Sequence, residues 1–342
     1  KYATREMFFE IQNLVQNLNI EIISKEIIKL KQKNSSTFLG KGNLLRIKND
    51  VSEKKIDLLI INNNLSPSQQ RNLERYLNTK VTDRSGIIIE IFSKRASTKE
   101  SKLQVELAEL IYRKSRLVRA WTHLERQRGG TTFIGGPGEL QIELDKRLIQ
   151  SKIVKIKRKL MKVKERRHIQ RKSRLNSQFK TFALVGYTNA GKTKLFNRLT
   201  KKKQSSQDKL FETLDTKISK FFLDNQQVGV IDTVGFINNI PTQLIESFHA
   251  TLEEINSATY ILNVIDVNDI NVQSKIQTTK RILKDTGVSN EKISNMINVY
   301  NKIDVSKSKF NFNQNRIFIS ALTGEGIDNL KDRIKKEIMK LH

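Results

Sequence analysis

TFALVGYTNAGKTKLFNRLT, residues 181–200, is the stretch on which the reading of the second half of the chain turns. It opens as an apolar strand, passes through Gly186-Tyr187-Thr188-Asn189-Ala190-Gly191-Lys192-Thr193 and continues as a helix-forming KTKLFNRLT. The central eight residues fit Gly-x-x-x-x-Gly-Lys-Ser/Thr, and the strand before and helix after are the context in which that spacing binds phosphate. Backbone N–H groups of such a loop, together with the helix N-terminus, cradle phosphates. Lys192 would reach the β- and γ-phosphates, and the Thr193 hydroxyl would hold Mg²⁺.

Downstream of this loop, strand-like and helical segments alternate: KISKFFLD, VGVIDTVG, a helix over 244–256, TYILNVIDV, a helix over 270–285, MINVYNK, NRIFISA and a last helix over 327–341. Most of these strands are near-continuous apolar runs, which implies burial on both faces and hence a mainly parallel, doubly wound sheet between helices. The fold class expected is α/β, with a P-loop domain over 179–342.

Three short motifs end three of these strands. Asp232-Thr-Val-Gly235 places a carboxylate to hold magnesium through water and a glycine N–H facing the γ-phosphate. Asn301-Lys302-Ile303-Asp304 follows, and Asp304 can accept from both N1–H and the 2-amino group of guanine, which adenine does not offer. Ser320-Ala321-Leu322 ends a further strand. Each is weak alone; in this order on one parallel sheet they point to GTP and GDP. The residue after Gly235 is Phe236, where many GTPases carry a glutamine that orients the attacking water. A phenyl ring cannot do so, so slow hydrolysis without a partner is expected, alongside a local packing role for the ring.

Upstream, residues 98–178 read as a helical hairpin. Leu103, Leu107, Leu110, Leu117, Trp121 and Leu124 keep heptad spacing, with Lys114 the exception, and Ile142, Ile149, Ile153, Ile156, Leu160 and Val163 repeat it. Between them RGGTTFIGGPGE, residues 128–139, carries five glycines. A helix hairpin needs only about 2–5 connecting residues, so this tip is longer than closure requires. Residues 146–175 hold fourteen Lys or Arg and one acidic residue, Glu165. The formal net charge of +28 is weak evidence by itself, because Lys, Asn and Ile are abundant throughout; its clustering is stronger. Lys155, Arg158, Lys162 and Arg166 are candidate phosphate contacts on RNA. Gly129, Gly130, Gly135, Gly136 and Gly138 would let the tip backbone approach an RNA surface, with Phe133 the ring available for stacking.

Residues 1–97 read as a small α/β domain. Ser66-Pro67 starts a helix through SQQRNLERYL, and FLGKGN at 38–43 reads as a tight turn. No second Walker motif supports ATP binding there. The chain of 342 residues contains no cysteine, which removes disulfides, thiolate nucleophiles and Cys-based zinc sites. Its four histidines are scattered, giving no ligand pattern. No apolar run approaches the ~20 residues that span a bilayer, and no signal peptide is evident.

These features resemble the HflX-type GTPases of the Obg-HflX group, a translation-factor-related family. The resemblance rests on LSPSQQRNLERYL (65–77), KLQVELAELIY (102–112), WTHLERQRGG (121–130), GPGELQIELDKR (136–147), GYTNAGKTKLFNRLT (186–200), FETLD (211–215) and DTVGFI (232–237). It implies that Thr213 is the switch threonine meeting Mg²⁺ and γ-phosphate, that Phe211 lies against the nucleotide, and that Lys192, Thr213 and Gly235 carry catalysis. It also implies a protein that binds the large ribosomal subunit through rRNA and splits or rescues stalled ribosomes. A monomer is expected because no long heptad seam is left unpaired, in the cytoplasm and without a DNA partner. The rival reading is an RNA-binding or assembly protein in which GTP is structural. The tRNA-modifying GTPase branch uses a C-terminal cysteine that this chain lacks. Departures from the family pattern are a tip one residue longer, Ile134 and Gly135 where an arginine is expected, and Glu212 and Thr216 in place of alanine and proline.

Overall fold

The computed structural model describes residues 2–117, 137–176, 180–202, 211, 214, 216–224, 226–237, 241, 244, 247, 249–306 and 316–340. The chain forms two compact units, one of residues 1–94 and 102–161, the other of 95–101 and 162–342.

The first unit holds helices α1 (Tyr2–Gln16), α2 (Lys41–Glu53), α3 (Pro67–Leu77) and α4 (Arg84–Arg95), with strands β1 (Leu58–Ile61) and β2 (Lys80–Asp83). β1 and β2 pair in parallel, Leu58 opposite Lys80, joined by α3. Ser66 caps α3 in a capping box with Gln69, and Pro67 sits in the first turn, where its missing N–H costs nothing. Leu44, Ile47 and Val51 of α2 pack with Leu73, Leu77 and Val81. FLGKGN departs from the tight-turn reading: Phe38 closes a short bridge with Asn34, and Gly40 is the N-cap of α2. Its glycines fall at a helix start, where their low helix propensity matters least. At the end of β2, the buried Asp83 accepts from the N–H of Leu65 and Gly86, the Tyr112 hydroxyl and the Arg116 guanidinium. Burial, then the Asp83 charge, pushes the Tyr112 phenol far above its usual range.

Helices α5 (Lys99–Leu117) and α6 (Pro137–Asn176) are long and pass from one unit to the other. In the first unit their seam is formed by Leu107, Ile153 and Ile156, flanked by Leu103, Leu110, Ile149 and Leu160. Lys114, the polar residue in the heptad pattern, donates to Gln150 at 2.7 Å. Contact of Leu107 with the 153–156 stretch and of Lys114 with Gln150 gives antiparallel helices. Pro137, Gly138 and Glu139 belong to the first turn of α6 rather than to the glycine-rich connection, because proline is pre-organised for that position.

The second unit is a six-stranded sheet of order β4-β5-β3-β6-β7-β8: β3 (Thr181–Val185), β4 (Lys217–Leu223), β5 (Gln226–Asp232), β6 (Tyr260–Asp266), β7 (Ile297–Asn301) and β8 (Ile317–Phe318). All neighbours are parallel except β4, which runs antiparallel to β5 with Lys217 opposite Asp232. β3 is buried at all five residues, whereas β4 alternates, burying Ser219, Phe221 and Leu223 and exposing Ile218 and Phe222. Helices α7 (Lys192–Thr200), α8 (His249–Ser257), α9 (Val272–Asp285), α10 (Asn290–Ser294) and α11 (Ile327–Met339) accompany the sheet. One apolar core joins Leu195, Phe196, Leu330 and Ile334 to β3, β5 and β6, and a second joins Ala183, Val185 and Ile231 to Ile255 and Leu283. Among the described residues no helix is long and apolar enough to cross a membrane.

Candidate guanine-nucleotide site

In a parallel sheet the loops that leave the carboxyl ends of the strands share one edge, and ligands bind in the crevice there. The P-loop leaves β3, Asp232–Gly235 leaves β5, and Asn301–Asp304 leaves β7. Gly186 and Gly191 have φ of +138° and +91°, values that side chains rarely tolerate. A Cβ on Gly191 would lie 2.2 Å from Asn301 Nδ2, so this glycine also permits the base-side loop to approach the P-loop. Asn301 closes that approach: its Nδ2 donates to Ala190 O at 2.8 Å, while its Oδ1 accepts from Ala321 N–H at 2.9 Å. One buried side chain therefore joins the P-loop to the loop after β8.

Lys192 is nearly buried, and its Nζ donates to the carbonyls of Gly186 and Tyr187 at 3.0 and 2.7 Å. Burial lowers its pKa to about 8, opposed by the nearby Asp232 carboxylate. The ammonium is thus held at the mouth of the loop with two backbone oxygens as partners. Thr193 Oγ1 donates to Asp232 Oδ2 at 3.0 Å. A hydroxyl and a carboxylate in contact are hard oxygen donors of the kind Mg²⁺ takes. Among the described residues no cluster of three His, Cys, Asp or Glu is present.

Tyr187 and Phe236 bridge in parallel. Phe236 N–H donates to Gly186 O at 3.0 Å, and Thr188 N–H to Phe236 O at 2.8 Å. The Phe236 ring is buried with Val185, Tyr187 and Ile255, so it points into the core. Gly235, held between these bonds, has no room for a side chain: a Cβ would lie 2.8 Å from Thr188 Cγ2 and 3.1 Å from Lys192 Nζ. Lys275 lies 5.0 Å from the Tyr187 ring centroid and pairs with Asp269.

On the base side, Lys302 takes a left-handed conformation (φ 69°), pairs with Asp266 at 2.8 Å and has its carbonyl bonded by Asn268 Nδ2 at 3.0 Å. Asp304 follows in the 3₁₀ turn Ile303–Val305 with its side chain exposed. Ser320 is buried and its hydroxyl accepts from Thr323 N–H at 3.0 Å. Arg198 of α7 donates to the carbonyls of Ala321 and Leu322, holding this loop from beneath.

The structure thus brings together residues 186–193, Asp232, Gly235, Asn301, Lys302, Asp304 and 320–322. Phe211 is buried. Thr213 lies outside the described residues, as do Gly129, Gly130, Phe133, Gly135 and Gly136. Arg198, Asp266 and Asn268 were not visible from the sequence, because only the folded chain shows which carbonyls they hold.

Family models match along the chain: a GTP-binding GTPase N-terminal region over 5–93, a GTP-binding GTPase middle region over 95–174, and a 50S ribosome-binding GTPase over 181–302. The chain is 41% identical to a GTPase HflX of Magnetococcus marinus over 342 residues, 98% of this chain and 78% of the relative. The protein belongs to the HflX family of GTPases. The HflX GTPase of Escherichia coli (strain K12) is 40% identical over 332 residues, covering 94% of this chain and 76% of the relative. Among solved structures, a GTP-binding protein of Sulfolobus solfataricus in complex with GDP matches at 25% identity and a TM-score of 0.50, over 99% of this chain and 97% of that one. As an HflX GTPase the protein binds guanine nucleotide and hydrolyses GTP.

Proposed function

We propose that this GTPase couples its nucleotide state to the large ribosomal subunit, binding rRNA and splitting or rescuing stalled or idle ribosomes, as a monomer in the cytoplasm. The observation that supports this most is the outward face of α6. Lys155, Arg158, Lys162 and Arg166 are all exposed and recur at three- and four-residue steps, so they form one stripe on the helix. It lies opposite the face carrying the buried Ile153 and Ile156. A basic stripe without base-reading geometry binds phosphate backbones and gives salt-dependent affinity. The name of the family model over 181–302, a 50S ribosome-binding GTPase, agrees with a large-subunit partner. The proposed working segments are residues 1–97, the hairpin 98–178 with the tip 128–139, and the GTPase segment 179–342.

In the mechanism we propose, P-loop N–H groups and Lys192 bind and orient the phosphates, and Thr193, with Asp232 through water, would hold Mg²⁺, which would neutralise phosphate charge. Gly235 presents its N–H to the γ-phosphate, Thr213 is the switch threonine that the family resemblance assigns to the GTP state, and Asp304 with the Ser320–Leu322 loop selects guanine. Phe236 turns its ring into the core and offers no group to orient water, so hydrolysis is slow until the ribosome completes the site. The same ring supports the rival reading, in which GTP is structural in an RNA-binding assembly factor. Co-sedimentation with purified large subunits, with GDP or a non-hydrolysable GTP analogue across a salt series, separates them. Retention favoured by the GTP analogue and weakened by salt supports the coupled reading; retention indifferent to nucleotide contradicts it.

A further inference from the structure

The turn that leaves β6 and the turn that leaves β7 are joined bond by bond. Val267 N–H donates to Asn301 O at 3.0 Å. Asn268 Nδ2 donates to Lys302 O at 3.0 Å, and Lys302 Nζ lies 2.8 Å from Asp266 Oδ2. The other oxygen of that carboxylate, Oδ1, accepts from Asn268 N–H at 3.0 Å and from its Nδ2 at 3.3 Å. Asp266 therefore divides its two oxygens: one closes its own turn, and the other holds the lysine of the next.

What these bonds hold is an uncommon backbone. Lys302 has φ 69° and ψ 38°, the left-handed region, in which a Cβ crowds the following carbonyl oxygen. Such a conformation persists where the surroundings over-determine it. Here the lysine is bonded at both ends, its carbonyl by Asn268 Nδ2 and Val305 N–H and its ammonium by Asp266. The reversal sends its neighbours different ways. Asn301 is 1% exposed and bonded to Ala190 and Ala321, whereas Asp304 is exposed. Glycine would adopt this φ more readily but would offer the carboxylate nothing to hold. The side chains of Asp266 and Lys302 are each 26% exposed, and an ion pair this open to water adds little stability. Stability alone therefore does not account for its placing at the carboxyl ends of β6 and β7, on the edge of a parallel sheet where ligands bind.

We propose that Asp266 is a positioning residue for guanine recognition: together with Asn268 it holds Lys302 in the left-handed conformation, and so fixes the direction in which Asp304 meets the base. This deepens the base-side reading above and rests on the assignment of Asp304 as the group that selects guanine. A base is held alike in the ground state and the transition state, so the contribution falls on affinity and base choice rather than on the rate of phosphoryl transfer.

Asp266→Asn keeps the size of the side chain and an oxygen for the Asn268 N–H, and removes the charge that pairs with Lys302. Expected is a loss of about 5- to 20-fold in affinity, alike for GDP and a non-hydrolysable GTP analogue and carried by faster dissociation. The preference for GDP over inosine diphosphate, which lacks the 2-amino group that Asp304 accepts from, should shrink as well. In a Lys302→Met background Asp266→Asn should add nothing further. Asn268→Ala changes an exposed residue, removes the bond to the Lys302 carbonyl and should move the same two quantities in the same direction. Wild-type dissociation and base preference in both Asp266→Asn and Asn268→Ala, with at most a lower melting temperature, would overturn the proposal; so would an undiminished further loss on adding Asp266→Asn to Lys302→Met. Asp304→Asn reads the underlying assignment separately, because an amide can donate to the 2-carbonyl of xanthine where the carboxylate accepted from guanine. A change of preference from GDP to xanthosine diphosphate beside a normal Asp266→Asn sinks the role of Asp266 alone. An undiminished preference for GDP in Asp304→Asn sinks the base assignment and the proposal with it.

Discussion

The P-loop and the outer face of α6 both present positive charge, and they hold it in opposite ways. Lys192 is nearly buried, its amine fixed between two backbone carbonyls and its pKa lowered to about 8. Lys155, Arg158, Lys162 and Arg166 stand in solvent. A buried cation acts through position, because its desolvation is recovered only when phosphate arrives in one geometry. An exposed stripe acts through number, because each charge releases counterions whatever the detailed pose. The first suits a small ligand that must be read atom by atom; the second suits a large polyanion whose surface need only be followed.

The comparison breaks first at Lys192. Lys192→Ala should weaken GDP and GTP binding roughly 100-fold or more, since it removes a desolvated, charge-assisted hydrogen-bond donor; titration with a fluorescent guanine nucleotide measures it, and a weakening under about 5-fold would mean that the amine is not a phosphate ligand. Next is Gly235→Ala, whose added methyl meets Thr188 and Lys192 at 2.8 to 3.1 Å. Hydrolysis should fall about 10- to 100-fold with GDP affinity changed far less, because that region closes only on the γ-phosphate. Single-turnover rates beside GDP binding show whether the two separate.

Reversing Lys155, Arg158 and Lys162 to Glu should leave nucleotide affinity near wild type and reduce the salt slope of large-subunit binding by about 3, one for each phosphate that is no longer neutralised. An unchanged slope would move the RNA-binding face elsewhere. The smallest effect is in pH. The free protein holds Lys192 protonated below about pH 8, and phosphate binding needs the charged amine. Nucleotide affinity should therefore be flat below pH 8 and fall above it, by up to about tenfold per unit. Calorimetry between pH 6.5 and 9.5 reads this directly, and affinity that rises over that range would contradict the buried-amine account.

What was legible in the chain follows the same division. The P-loop could be read because its glycines answer a backbone requirement: Gly191 is needed where φ is +91° and Asn301 comes within 2.2 Å of a would-be Cβ. Near-continuous apolar runs showed β3, β5, β6 and β7 as a parallel set, and the seam residues Leu107, Ile153 and Ile156 showed the α5–α6 pairing. β4 was harder. Ser219 is buried while Ile218 and Phe222 are exposed, so its apolar pattern did not reveal an antiparallel edge. FLGKGN hid a helix start because glycine suggests a turn before it suggests an N-cap. Arg167 could not be found at all: it is one of fourteen Lys or Arg within residues 146–175, and only the fold shows it facing Glu100 and Thr216 while Arg166 faces solvent. In a run of like charges, composition says that a polyanion is welcome, and geometry says which charge does something else.

The central claim, that this GTPase is switched by a large polyanionic partner rather than acting alone, is tested most directly by steady-state GTP hydrolysis with and without purified large ribosomal subunits at low and high salt. The account predicts slow turnover alone, on the pattern set by the inward-facing Phe236, a stimulation of at least about tenfold by subunits at low salt, and disappearance of that stimulation as salt rises. Tight GTP binding with equal turnover in the presence and absence of subunits at low salt would contradict it.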